Sequence, residues 1–217
     1  NGLLYGAPEL STDMVPVLDP VRHVASEIRM PVRDPKTARP GKPLAASPYW
    51  GEEEIWDSQA SVHNPMLDAQ GRVWYTARIR APDNPAFCKH GSDHPSAKVF
   101  PLERSGRQLA MYDPKSGKYT FVDTCFSTHH LQFAADANDT VWTSGGGPVV
   151  GWLDSRKFTA TGDAAAAQGW SPFVLDTNGN GRRDRWVEPG QPPDASLDQR
   201  IAGSFYAVMP NPADGSV

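Results

Sequence analysis

The sequence predicts an all-β fold, a partial β-propeller of four-stranded antiparallel blades with about three blades present. Two repeated elements predict this fold. One is a turn followed by Val-Trp, the other is a hairpin, and they recur with a period of about 70 residues. Composition is the third observation, because 21 Pro and 19 Gly among 217 residues leave little room for long helices. A β-sandwich is the alternative architecture.

The turn element consists of an Asp, a short polar turn and a Val-Trp pair. It runs from Asp68 to Trp74 and again from Asp136 to Trp142, and a partial copy at 211–217 stops before its Trp. Clusters of Asp, Asn and Gly between short β-type runs are typical of tight turns. Each copy therefore predicts a turn between two strands.

The hairpin element is clearest at 109–123, where a Pro/Ser/Gly turn separates two β-type runs. An earlier copy covers 15–30, and a later copy pairs 149–154 with 173–176 around an insertion. Alternation of the two elements predicts a four-stranded antiparallel unit that is repeated along the chain.

These repeats organise residues 1–217 as a single partial propeller domain, in which helix is expected only at 164–168. The predicted parts are the outer strands of one blade at 15–33, a Pro-rich linker at 34–60, complete blades at 61–126 and 128–175, an insertion resembling a calcium loop at 176–203, and the start of another blade at 204–217. Since closed propellers have about four to eight blades, we expect the remaining blades in the parent chain or in partner copies.

Charge and motif content argue against several functional classes. The formal net charge is −4 without basic clusters, which argues against a nucleic-acid partner. No apolar run approaches the roughly 18 residues of a membrane-spanning helix. The sequence contains no phosphate loop, nucleophile elbow, dinucleotide fingerprint or heme-attachment motif, so phosphoryl transfer and serine hydrolysis have no support.

The two cysteines predict a disulfide. Cys88 lies in the long insertion between the second and third strands of blade 61–126, and Cys125 ends its fourth strand, so antiparallel topology brings both to one face. Such a bridge raises the free energy of unfolding by about 2–4 kcal/mol. The alternative is a soft metal site formed by Cys88, His90, His94 and Cys125, although Cys-Lys-His is not a standard zinc spacing.

A disulfide predicts a periplasmic or secreted protein, since such bonds persist in oxidising compartments. The chain begins at Asn1 without an initiator Met or a signal peptide, which is typical of a mature secreted protein or of a piece cut from a longer one.

The repeats resemble those of the virginiamycin B (streptogramin) lyase-like propellers, neighbours of the NHL-repeat proteins. The residues that carry this resemblance are the Asp-turn-Val-Trp-Tyr-Thr of 68–76 and the Val-Val-Gly-Trp-Leu-Asp of 149–154, and the similarity spans most of 15–217. The resemblance implies a metal-assisted elimination that opens a lactone, in which a channel His transfers a proton and Mg²⁺ polarises the substrate.

The chain departs from that family at the carboxylates. The family often carries Glu after its Trp-Phe-Thr, whereas Ala77 and, in the next blade, Gly145 take that place here. Their loss weakens a hard-cation site, because Mg²⁺ prefers oxygen ligands. The acidic candidates that remain nearby are Glu52, Glu53 and Glu54. Such a run of charges also fits a solvated surface.

Histidines mark the predicted ligand face. The first strand of each blade lines a propeller's channel, and the segments that lead into two consecutive first strands carry His63 and the pair His129 and His130. We expect His63 to lie close to one of the pair, where imidazoles suit proton transfer or the binding of a divalent metal. The alternative is that each His caps an inter-blade turn.

Aromatic residues extend this predicted face. The insertion at 81–107 is placed to cover the channel, and aromatic rings near it would stack on a flat or sugar-like ligand. The alternative is packing between blades. The ligand-face candidates are Trp50, Trp56, Phe87, His90 and His94.

The segment that starts at Asp176 has the spacing of a calcium loop. Oxygen-bearing side chains occupy positions 1, 3, 5 and 9, and a Gly that permits a sharp turn occupies position 6. Position 12, where an EF-hand has Glu, is Val187. The predicted ligands of a structural Ca²⁺ are Asp176, Asn178, Asn180, the backbone carbonyl of Arg182, and Asp184. The alternative is an Asn-Gly-rich surface turn.

Together these features predict a secreted or periplasmic binding or scaffold module. It would hold a small molecule or a protein over the His-bearing face, with Ca²⁺ and a disulfide as stabilising elements. The alternative is a metal-dependent lyase that opens a lactone or similar ester, with His63 or His130 as the base and Mg²⁺ as its cation.

Overall fold

The structure of the chain is a computed structural model that describes residues 2–144 and 147–217. Strands make up 33% of it and helices 9%, so the predicted all-β class is confirmed. Within the described ranges no sheet closes on itself. The strands are β1 (Leu4–Tyr5), β2 (Met14–Asp19), β3 (Val24–Arg29), β4 (His63–Leu67), β5 (Val73–Ala77), β6 (Gln108–Asp113), β7 (Lys118–Val122), β8 (His130–Phe133), β9 (Thr140–Ser144), β10 (Val149–Asp154), β11 (Gln168–Pro172), β12 (Val174–Leu175), β13 (Trp186–Val187) and β14 (Asp198–Arg200).

The first sheet has the order β1-β2-β3 and is antiparallel throughout. Its two longer strands are the hairpin expected at 15–30, and β1 is an additional strand beside it. A backbone hydrogen bond of 2.9 Å from the Glu9 amide to the Val62 carbonyl joins the chain after β1 to the start of the second sheet. The segment 34–60 contains only isolated bridges, which fits the expected linker.

The second sheet is an antiparallel meander in the order β4-β5-β6-β7. Strand β5 is buried along its whole length, because apolar residues cover both faces of the sheet. The predicted turn before it forms: the Asp68 carboxylate accepts hydrogen bonds from the Arg72 amide and from the indole N–H of Trp74, both at 2.9 Å. The turn thereby fixes a fully buried Trp at the centre of the sheet.

The third sheet is also a meander, in the order β8-β9-β10-β11. Its fourth strand is β11, so the expected pairing of 149–154 with 173–176 is wrong, and β12 belongs to another sheet. Gly169 in β11 permits this pairing, since a Cβ there would lie 2.4 Å from the ring of Trp152. The Trp152 ring on β10 therefore packs over Gly169, which a larger residue would not permit.

Within the described ranges there are three short α-helices, of which the sequence predicted one, and a single 3-10 turn at Ala86–Cys88. The expected turn at 164–168 forms α3 (Ala164–Ala167), while α1 (Pro95–Val99) and α2 (Ser155–Thr161) were not expected. Asp154 caps the start of helix α2, where its carboxylate accepts from the Lys157 amide. It ends at Gly162, which has a φ of 73°. Its start and stop signals are therefore capping residues rather than a long apolar pattern.

The fourth sheet is small and mixed, in the order β12-β14-β13, with β13 parallel to β14. The stretch 205–217, which is described throughout, contains no strand. The blade start expected at 204–217 is therefore absent as a strand from this structure.

Consecutive sheets pack through separate apolar clusters. One cluster joins the first and second sheets, with Val15, Met30 and Tyr75 among its buried members. Another joins the second and third sheets and includes Trp74 and Leu153. Since Trp74 and Tyr75 are neighbours on β5, the second sheet is the middle layer. Among the residues that the structure describes, no helix has both the length and the apolar character needed to cross a membrane.

Candidate functional site

The three predicted histidines form one cluster, which we call the His cluster: His63, His129 and His130. One ring nitrogen from each residue lies within 4.8 Å of the others. His63 begins β4 and His130 begins β8, the first strands of neighbouring sheets. Their Nε2 atoms are 3.2 Å apart. The structure therefore brings together the side chains that were predicted to converge.

Backbone hydrogen bonds fix the positions of these residues. The Thr76 hydroxyl donates to the His129 carbonyl at 2.7 Å, and the His129 amide donates to the Ser144 carbonyl at the same distance. The rings of His63 and His129 are stacked, with centroids 4.4 Å apart. Strands β5 and β9 thus hold the cluster from the second and third sheets.

The outer nitrogens of two rings face acceptors. Nδ1 of His130 lies 2.7 Å from the Tyr206 carbonyl. Because a carbonyl only accepts, this Nδ1 carries a proton, and in the neutral ring Nε2 presents its lone pair. Nδ1 of His63 lies 3.8 Å from a carboxylate oxygen of Glu9, which is too far for a hydrogen bond. The acceptor on Nδ1 of His130 is the usual arrangement behind an imidazole that binds a metal through Nε2.

Glu9 and Arg107 set the charge around the cluster. A Glu9 oxygen lies 3.9 Å from Nε2 of His129 and 3.5 Å from the Arg107 guanidinium. Arg107 also donates to the Ser61 hydroxyl at 2.8 Å. One carboxylate therefore contacts the cation and approaches two of the imidazoles.

Burial lowers the pKa of His63, and nearby Arg107 and His130 lower it further, although Glu9 acts in the opposite direction. Burial also lowers the pKa of His129, with added contributions from His63 and His130. Both rings are therefore neutral near pH 7 and have free lone pairs, which metal binding and general-base catalysis require.

The backbone around the cluster is unusual. Glu9, Ser61 and Asn64 have positive φ values of 46°, 46° and 45°. A register shift interrupts β4 between His63 and Met66. Positive φ is disfavoured for residues with a side chain, and such residues and bulges concentrate at functional sites. The bulge turns the start of β4 so that the His63 ring meets the rings at the start of β8.

The predicted ligand-face residues lie elsewhere. Phe87 and His94 line a separate cavity of about 700 Å³ between the 81–107 insertion and the third sheet. His94 stacks on Trp170 with centroids 4.7 Å apart. Three others are exposed and do not line that cavity, namely Trp50, Trp56 and His90. Trp50 donates its indole N–H to the Ala45 carbonyl at 3.1 Å, within the linker.

The predicted disulfide is confirmed. Cys88 and Cys125 are joined by an S–S bond of 2.02 Å, with their Cα atoms 5.3 Å apart, and both residues are fully buried. Bonded sulfurs are not thiolate ligands, so the alternative soft metal site with His90 and His94 is wrong for this oxidised form. The bond fits an oxidising compartment.

The residues of the predicted calcium loop form a compact turn. The Asp176 carboxylate accepts hydrogen bonds from the amides of Gly179 and Gly181, at 2.7 and 2.8 Å. The Asp184 carboxylate accepts from the side-chain amides of Asn178, at 3.0 Å, and Asn180. The Arg182 amide donates to the Asn180 side chain. The predicted ligands thus lie in one loop, closed by hydrogen bonds between amides and carboxylates.

The acidic run 52–54 is not part of the His cluster. Ala77 is buried in β5, and Gly145 lies outside the described residues. Glu54 makes an ion pair of 3.7 Å with Arg39 in the linker. The exposed run 52–54 therefore has the character of a solvated surface in this structure.

Sequence reasoning missed Glu9, Arg107 and Tyr206. None of the three lies within one of the turn copies or at a recognisable motif position, so no local pattern marked it. A Glu in a short segment before a predicted strand carries no signal of its own. Only the packing of the first sheet on the second brings it to the His cluster.

The comparisons with known proteins add no relative. A scan against models of known protein families finds no match for the chain, and a search of curated proteins finds no similar sequence.

Proposed function

We propose that the chain is part of a β-propeller binding module that holds its ligand over the His cluster. Two consecutive four-stranded antiparallel meanders, stacked through an apolar cluster, support the propeller architecture. In a propeller, neighbouring first strands lie side by side along the channel. Contact between β4 and β8 supports this arrangement. Blades from the parent chain or from partner copies would complete the ring.

The cluster binds a divalent transition-metal ion, such as Zn²⁺, as the centre of this ligand site. One observation carries this proposal: the Nε2 atoms of His63 and His130 are 3.2 Å apart. Two imidazole ligands at the usual 2.0–2.1 Å from a tetrahedral zinc ion lie about 3.3 Å apart. The Tyr206 carbonyl behind His130 favours the lone-pair form at Nε2 of that ring, and Nε2 of His63 would release its shared proton when a metal binds.

Three protein ligands would leave the fourth position of such a metal open. In zinc proteins an open position takes water or a ligand atom, whereas purely structural sites are closed by four protein ligands. The cluster is also only half-buried, so a small molecule or an exposed side chain of a protein partner has access to it. The His cluster thus fits ligand binding better than it fits a purely structural role.

A lyase is the second candidate function, and one observation favours it. The lowered pKa values of His63 and His129 make neutral imidazoles available as bases near pH 7. However, the cluster does not fit the Mg²⁺ that the resemblance implies, because its donors are mainly nitrogens and Glu9 is the one carboxylate that approaches them within the described ranges. We therefore derive no catalytic step through Mg²⁺.

The compartment is part of the proposal. A buried disulfide between Cys88 and Cys125 supports a periplasmic or secreted location, where such bonds persist. An oxidising compartment also leaves histidine rather than cysteine as the available ligand for a transition metal.

A cobalt titration tests the His cluster. Co²⁺ substitutes for Zn²⁺ and reports its geometry through visible absorption. We expect one equivalent to bind the wild-type chain, and His130→Ala to weaken binding by at least about tenfold, since second-shell changes alone cost 10–100-fold in metal affinity. His90→Ala is the matched control, because His90 is exposed and away from the cluster.

The two variants separate the outcomes. Loss of binding in His130→Ala with retention in His90→Ala supports the proposal. Equal binding by all three proteins would assign the metal to another site. Circular dichroism establishes that each variant is folded before it is titrated.

A further inference from the structure

Asp198 is a buried carboxylate beside the calcium loop. The residue is 1% exposed, and it lies at the start of β14, in the middle of the fourth sheet. One oxygen, Oδ2, accepts a hydrogen bond of 2.6 Å from the amide of Asp184, the ninth residue of the loop. The other oxygen, Oδ1, is buried and has no hydrogen-bond partner within the described part of the chain.

This arrangement is unfavourable without a cation. Burying an ionised carboxylate is costly unless it is paired and hydrogen-bonded, and almost all buried polar atoms have a partner. Asp198 makes no ion pair with any Lys, Arg or His that the structure describes. A buried, unpartnered oxygen therefore points to a ligand that carries positive charge.

The loop next to Asp198 offers further oxygen ligands. The side-chain amides of Asn178 and Asn180 both donate to the same oxygen of Asp184. The side-chain oxygens of Asn178 and Asn180 accept from the backbone amides of Asn180 and Arg182. Each of these oxygens keeps a second lone pair that can bind a cation.

The side chain of Asp176 holds the loop in shape. Its two oxygens accept from the amides of Gly179 and Gly181, so the loop folds back on Asp176, its first residue. The EF-hand pattern lacks its last carboxylate here, since position 12 is Val187. A carboxylate from outside the loop would supply that missing charge.

We propose that Asp198 is the distant carboxylate ligand of a structural Ca²⁺ held by the loop that starts at Asp176. The remaining ligands are those that the loop spacing predicts: Asp176, Asn178, Asn180, the carbonyl of Arg182, and Asp184. The ion ties the loop to β14 and thus orders the fourth sheet. This site is independent of the His cluster, both in its ligands and in its position along the chain.

Calcium titration by calorimetry tests the assignment on the full chain, first stripped with EGTA. We expect wild-type protein to bind one Ca²⁺ and Asp198→Asn to bind it at least tenfold more weakly. Asp194→Asn is the matched control, since Asp194 lies in the same segment but is exposed and contacts only Ser196. We expect its affinity to equal that of the wild type.

Wild-type protein without Ca²⁺ binding, or Asp198→Asn with wild-type affinity, would overturn the proposal. A crystal structure of the wild-type chain grown with Ca²⁺ decides the point if the Asn variant fails to fold. We expect an ion with Oδ1 of Asp198 at about 2.3–2.6 Å. An ion without Asp198 among its ligands, or no ion in the loop, would contradict the assignment.

Discussion

Residues 61–175 and residues 176–217 differ in what holds them together. The first segment contains two four-stranded sheets, two apolar clusters and a disulfide. In the second, which is described throughout, only Val187 and Asp198 are buried, and one of these is a carboxylate. The first segment has a core of its own, whereas the second has almost no apolar core.

The difference shows how each candidate site depends on its surroundings. The His cluster is positioned by strands that apolar packing already fixes, so its geometry does not need a ligand. The loop at 176–184 is carried by a small sheet of short strands, so an ion would contribute to its order. The predictions that follow test this contrast, from the largest expected effect to the smallest.

Removing the disulfide affects the first segment most. We expect the double variant Cys88→Ser and Cys125→Ser to lose about 2–4 kcal/mol of unfolding free energy, because the bridge no longer restricts the unfolded chain. Urea denaturation measures the loss. Addition of Ca²⁺ is the control, since an ion in the second segment does not replace a bond in the first. Wild-type stability in the double variant would contradict this account.

The next largest expected effect is a difference in stability between variants in two copies of the turn element. Asp68→Ala leaves the buried Trp74 indole N–H without its acceptor, and we expect a loss of about 1–3 kcal/mol. Asp214, in the partial copy, is exposed and bonds only to Ser216. Asp214→Ala should leave stability unchanged. Thermal denaturation of both variants measures the difference. Equal losses in both variants would mean that the two segments are equally packed.

Chelation acts on the second segment alone. We expect EGTA to increase amide hydrogen exchange in β12, β13 and β14, while exchange in β4 to β11 stays constant. The reason is that the proposed ion links the loop to β14, whereas the first segment has its own core. Mass spectrometry of peptides resolves the two regions. A uniform change along the chain would show that the segments unfold as one unit.

Acidification has the smallest effect, and it acts through the His cluster. Burial lowers the pKa of His63 and His129, so the unfolded chain binds protons more readily than the folded one. Above about pH 6.5, the pKa of a histidine in the unfolded chain, the contribution of these groups to the free energy of unfolding is fully present. It is lost as the pH falls through their lower pKa values in the folded state. Unfolding experiments on the wild type and on His129→Gln between pH 7 and pH 5 measure this loss. The variant should lose less unfolding free energy than the wild type.

The sequence allowed prediction of the parts that rest on local patterns. The turn at Asp68, the hairpin at 109–123 and the pairing of Cys88 with Cys125 follow from residue types and spacing, and the structure contains all three. The convergence of His63 with His130 required the further inference that consecutive first strands are neighbours.

The remaining features depend on packing between distant segments. Glu9 reaches the His cluster only because the first sheet packs on the second, and no local pattern marks it. In the pairing of β10 with β11, the Trp152 ring packs against Gly169, a contact between residues 17 positions apart. The burial of Asp198 likewise follows from the pairing of β14 with two short strands.

X-ray absorption spectroscopy at the zinc edge tests the central claim most directly. The sample is the full chain loaded with one equivalent of Zn²⁺. Three imidazole nitrogens at about 2.0–2.1 Å from the ion are the result that the His cluster predicts. A shell of oxygens alone, or an unchanged spectrum from the double variant His63→Ala and His130→Ala, would contradict it.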